Sequence, residues 1–175
     1  MAKIAFSKFG AKVDASIKTI DIKEQVIEVR QYLPVNDKLQ LIGNVIEYAH
    51  DIERNFANPL KSEVYFAIEV IRAYTNITFT EKQLEEPQKL YDALESNGII
   101  DAIFDAIPEK EMIVLRENLA ETSYAFYTYR NSVFGIIDNI SQDYTDTEFN
   151  ITELQKKIAS PEALDLLKKL SARLG

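Results

Sequence analysis

Residues 112–140 read MIVLRENLAETSYAFYTYRNSVFGIIDNI, and Met112, Leu115, Leu119, Thr122, Phe126, Tyr129, Val133, Ile136 and Ile140 recur in that stretch at alternating spacings of three and four. Such alternation marks one face of an α-helix. Run unbroken over this stretch, the helix would reach about 45 Å at 1.5 Å per residue. Gly135 is its weak point, because glycine costs about 1 kcal/mol relative to alanine inside a helix. A second column, Ile113, Ala120, Tyr127 and Phe134, lies one step round, which makes the apolar face wider than a two-stranded coiled coil requires. The pattern predicts a mainly α fold, a helical bundle with one long central helix, built for contact and not for reaction.

Towards the N-terminus the punctuation stays helical as far as Pro34. Ser96-Asn97-Gly98 supplies a left-handed stop, Thr80 with Gln83 a capping box, and Pro87 falls inside that segment, where it shortens or kinks a helix. Ile99, Ile100, Ile103, Phe104 and Ile107 predict a short apolar helix ended by Pro108. Asn58-Pro59 opens a helix whose Val64, Phe66, Ala67, Ile68, Val70, Ile71 and Ala73 leave little polar face, so it belongs in the core. Asn36 or Asp37 is positioned to cap the helix that carries Leu41, Ile42, Val45, Ile46 and Ala49.

Before Pro34 the chain reads as strands: residues 3–9 alternate and stop at Gly10, Ile17, Ile20 and Ile22 form a second segment, and residues 26–33 a third rich in β-branched side chains. A lone hairpin is barely stable in water, so this part must pack on the helices or on another molecule. C-terminal to the long helix, residues 142–149 read as a polar loop and Asn150 with Glu153 as a capping box. Ser160-Pro161-Glu162 then starts an amphipathic helix bearing Leu164, Leu167, Leu170 and Leu174. The expected division is a β arm or hairpin over 1–33 and a helical domain over 34–175.

The net charge of −8 argues against a surface that reads phosphates, which needs clustered Lys and Arg. It is unevenly spread: residues 1–30 carry six bases against four acids, and residues 131–155 hold Asp138, Asp143, Asp146, Glu148 and Glu153 without a single base. Such a run is usually a solvated face, and less often an acidic decoy. No cysteine is present, which removes disulfides and thiolate chemistry. The N-terminus lacks the apolar core of a signal peptide, and no run approaches the roughly 20 apolar residues of a membrane span. A soluble protein is expected.

Catalytic constellations are scarce in the sequence. The one histidine, His50, stands three residues after Glu47, a spacing used by di-iron bundles, but those sites need a second such motif. A Ser-His-Asp arrangement would also depend on His50, and no Gly-x-Ser-x-Gly turn accompanies it. Among five glycines there is no nucleotide-binding loop, and residues 138–149 lack the glycine and spacing of a calcium loop. The expectation is therefore no catalytic residue, no cofactor, no metal and no small-molecule substrate.

Residues 27–38, Ile27-Glu28-Val29-Arg30-Gln31-Tyr32-Leu33-Pro34-Val35-Asn36-Asp37-Lys38, are followed in order by Asn58-Pro59-Leu60, Tyr74-Thr75-Asn76-Ile77, Leu90-Tyr91-Asp92 and Ser96-Asn97-Gly98. Together these motifs resemble a poorly characterised group of proteins from tailed bacteriophages of Gram-positive hosts, over roughly residues 27–107. The resemblance implies a non-enzymatic structural or assembly protein: a minor head, connector or tail component, or a tail assembly chaperone. It brings no catalytic residues. The expected partners are other phage structural proteins and further copies of the chain, not nucleic acid or a membrane, with Tyr124, Tyr127, Phe134, Ile4 and Phe6 as contact residues. The alternative is an early phage protein that inhibits a host enzyme or defence system through its acidic surface.

Overall fold

Pro59–Tyr74, sequence PLKSEVYFAIEVIRAY, forms the helix that organises the core, and a computed structural model shows why. The structure describes residues 3–51, 56–132 and 135. Asn58 caps the helix through its side-chain oxygen, which accepts from the Leu60 and Lys61 N–H groups, and Pro59 occupies a first-turn position where its missing donor is not needed. Beyond that turn Val64 and every residue from Phe66 to Ile71 are buried, as is Tyr74. This is the apolar all-round pattern of an interior helix.

In chain order the described elements begin with a 3₁₀ turn, Phe6–Phe9, and a hairpin of β1 (Ile17–Ile22) and β2 (Gln25–Arg30). Then come α1 (Val35–Ala49), a two-residue pair β3 (His50–Asp51) and β4 (Phe56–Ala57), and the core helix α2 (Pro59–Tyr74). Four more helices follow: α3 (Glu81–Glu85), α4 (Pro87–Glu95), α5 (Ile99–Phe104) and α6 (Glu109–Arg130). The fold is mostly helical, with a small N-terminal two-stranded antiparallel sheet. The chain divides into two compact units, Met1–Thr128 and Tyr129–Gly175. The core lies in the first. It is built from Val29 and Leu33, the inner faces of α1 and α2, Leu90, Leu94, Ile100, Ile103, Ala106, Ile107 and Leu115.

The strand expected over residues 3–9 is instead the 3₁₀ turn, closed by Gly10 at φ 57°. Ile4, Phe6 and Phe9 are exposed and meet no apolar partner layer among the described residues, and a strand without one has nothing to hold it. The other two segments do pair, with Ile20 opposite Ile27 and Ile22 opposite Gln25. Ile20, Ile22 and Ile27 rest on the core. Further bonds fasten the hairpin to the helices: Val29 bridges to Thr75, the Glu28 N–H donates to Asn76 Oδ1, Lys23 Nζ donates to Asn97 Oδ1, and Gln31 Nε2 donates to the Ala106 carbonyl.

α1 starts earlier than Asn36 or Asp37 would allow as caps. Pro34 holds the cap position without a side-chain bond, and its carbonyl accepts from Lys38 N–H. The Thr80–Gln83 capping box is present with both of its bonds, Pro87 divides the segment into α3 and α4 at Glu86, and Gly98 adopts the left-handed conformation at φ 66°.

α6 is the longest described helix, 22 residues, and it ends at Arg130, short of the expected Ile140. At that end the Ser132 hydroxyl donates to the Tyr129 carbonyl and accepts from the Gly135 N–H, side-chain bonds that compete with continuation of the helix. Val133, Phe134, Ile136 and Ile140 lie outside the described residues, as do the loop, capping box and last helix expected after 142 and the whole acidic run beyond Ser132. No described helix is long and apolar enough to cross a membrane.

Candidate interaction surface

The two apolar columns of α6 do different work. Leu115 is buried, while Met112, Leu119 and Phe126 of the same seam are half-buried and pack against the core; Thr122 is exposed. On the second column Ile113 and Ala120 face solvent. Spacings of four, three and four place Ile113, Glu117, Ala120 and Tyr124 along one outward stripe, and Tyr124 is 76% exposed. Glu121 flanks the stripe and Lys110 stands at its N-terminal end.

A larger apolar surface belongs to the N-terminal arm. Ile4, Phe6, Phe9 and Val13 are all exposed, Phe6 at 74%, and the Phe6 and Phe9 rings sit 6.2 Å apart. A 3₁₀ turn eclipses positions i and i+3, so both rings project to one side. Ile17 and Val26 are also exposed, at opposite ends of the outer face of the hairpin, with Thr19 and Glu28 between them. Residues 3–13 carry Lys3, Lys8 and Lys12 and no acid. The arm is thus an exposed apolar strip with a positive edge, on a chain that is otherwise strongly acidic.

Of the expected contact residues, Ile4, Phe6 and Tyr124 lie open to solvent, whereas Tyr127 is half-buried and its hydroxyl is 3.1 Å from His50 Nδ1. Phe134 lies outside the described residues. His50 is the C-cap residue of α1, and its ring meets Phe126 edge-on at 5.4 Å and Tyr127 at 5.5 Å. Phe9, Val13, Ile17 and Val26 were not among the expected contacts; the sequence signal for Phe9 was its place in an alternating run that was read as a strand.

Behind this surface the frame is held by buried charge. Glu111, only 9% exposed, accepts from the Leu33 N–H at 3.1 Å, the Tyr74 hydroxyl at 2.8 Å and Lys38 Nζ at 2.8 Å. One carboxylate therefore ties the end of the hairpin segment, α1, α2 and α6. Burial pushes Glu111 up, but the hydrogen bonds from Lys38, Leu33 and Tyr74 and the charge of Lys38 outweigh it, leaving the carboxyl below its ordinary range. Burial, then the bond to Glu111 and its negative charge, hold the Tyr74 phenol far above its usual value. Arg116 adds a second tie: it reaches Glu63 with two nitrogens at 3.2 Å and lies over the Phe66 ring at 4.8 Å.

A cavity of about 270 Å³ opens between Arg30, Asp37, Gln40, Asn44, Glu69 and Arg72. Its buried carboxylate, Glu69, is already engaged by Asn44 at 2.8 Å and by Arg72, so the charge serves the α1–α2 packing. Among the described residues no three His, Asp or Glu side chains gather as a metal site. No family model matches this chain, and neither a curated protein nor a solved structure matches it.

Proposed function

We propose that this is a non-enzymatic structural or assembly protein of a tailed bacteriophage, acting through contacts with other phage proteins and with its own kind. The observation that supports this most directly is the arm, where Ile4, Phe6, Phe9 and Val13 are exposed together on a segment that buries none of its own residues. Contiguous exposed apolar groups on a water-facing protein mark a surface meant to be covered. The phage assignment rests on the resemblance of residues 27–107, and the bundle is read with α6 as its long element. A minor head, connector or tail component and a tail assembly chaperone all fit such a contact protein, in the virion or in the host cytoplasm.

The test is affinity capture of the tagged full chain from infected cells, with partners identified by mass spectrometry, alongside mass spectrometry of purified particles. Recovery of portal, capsid or tail proteins is expected, reduced when Phe6 and Phe9 are changed to Ser. A chain that recovers host enzymes or defence proteins instead would overturn the reading in favour of an inhibitor.

A further inference from the structure

We propose that the N-terminal arm of one copy docks on the outward stripe of α6 of a second copy, so that the chain assembles with itself by exchanging arms. The inference rests on the reading above as a contact protein and names one partner for its surface.

Three observations carry it. First, donor and acceptor are both uncovered within one chain: Phe6 and Phe9 on the arm, Ile113 and Tyr124 on α6. Second, their charges are opposite. Lys8 and Lys12 lie among the exposed apolar groups of the arm, and Glu117 and Glu121 lie in and beside the stripe, so an arm seated there neutralises two charges on each side. Third, the shapes agree. The Phe6 and Phe9 rings are 6.2 Å apart, close to the roughly 5.4 Å of one helical turn, and the small Ala120 side chain is exposed between Ile113 and Tyr124 on the stripe.

The occupant is a second copy and not a nucleic acid because the arm's aromatic rings and lysines match a surface that this chain itself supplies. A two-fold arrangement uses each arm and each stripe once and leaves none uncovered. Lys110, at the far end of the stripe, lies on the side away from Tyr124 and orients the basic arm towards Glu117 and Glu121.

The experiment is sedimentation equilibrium of the purified full chain at several concentrations and salt strengths. The wild type is expected to self-associate, less strongly at high salt. Lys8→Glu with Lys12→Glu, and separately Glu117→Lys with Glu121→Lys, should each weaken association by about tenfold or more, and all four changes together should restore it. All four side chains are exposed, and circular dichroism checks that each variant stays folded. A monomeric wild type, or a fourfold variant that stays dissociated, overturns the proposal. So does a monomer whose arm binds a single-stranded oligonucleotide. A monomer that still captures phage head or tail proteins sinks arm exchange and leaves the assembly reading intact; a self-associating chain that captures none supports arm exchange and sinks that reading.

Discussion

Glu111 shows how far one side chain governs the frame. Replacing it with Ala strips Leu33 N–H, Tyr74 and Lys38 of their common acceptor, and leaves the largely buried Lys38 ammonium without its carboxylate. A loss of about 3 kcal/mol is expected in urea unfolding, and a smaller loss for Glu111→Gln, which keeps an acceptor oxygen. The sign with pH follows from the lowered carboxyl. Its contribution is complete above the unfolded value of about 4.3 and disappears as pH falls through the folded value, so wild type should lose more stability than Glu111→Gln on acidification below about pH 5. Tyr74 works at the other end. Its raised phenol stays protonated in the fold while the unfolded chain ionises near pH 10, so stability declines in alkali. None of this was legible in the sequence, where Glu111 in the first turn of a helix looks like any acid complementing the dipole. Its partners come from 37 and 73 to 78 residues away. The hairpin turn offers a second residue-scale prediction. Lys23 and Glu24 both take positive φ, 49° and 64°, a conformation that favours Gly at the second central position. Glu24→Gly should stabilise the protein by about 0.5–1 kcal/mol, read as a higher urea midpoint with unchanged slope.

At the scale of elements, legibility followed locality. The Thr80–Gln83 box, the Asn58-Pro59 start, the break at Pro87 and the stop at Gly98 are signals confined to three or four residues, and each stands where it was read. Signals that need a partner layer misled. Ile4 and Phe6 alternate like a strand, yet among the described residues no second strand or core face meets them, and the backbone turns instead. The long helix is overrun for a related reason: its apolar period continues past Arg130, while the helix ends there and the Ser132 hydroxyl, one short side chain in a long regular run, takes up the Tyr129 carbonyl. Because Asn58 satisfies two N–H groups at the head of the core helix, Asn58→Ala should cost about 1 kcal/mol, measurable in the same unfolding assay.

For the molecule as a whole, the arm is a contact surface set apart from the residues that carry stability. The arm contributes no buried residue, so deleting residues 3–14 should leave the melting temperature within about 1–2 °C of wild type while abolishing self-association. The candidate surface was half legible for the same reason: exposed aromatics on a helix can be placed from their spacing, but whether an apolar residue is covered depends on the assembled core. The hairpin behaves differently from the arm that precedes it. It is pinned at its tip to Asn97, along β2 to Thr75 and Asn76, and just beyond to Ala106. Its inward amides therefore cannot exchange with deuterium by peeling the hairpin away from the helices; exposing them requires opening the core itself. Exchange should change abruptly near Ile17, from immediate in the arm to the slow rate of α2 in the paired strands, and that step would mark where the folded body begins.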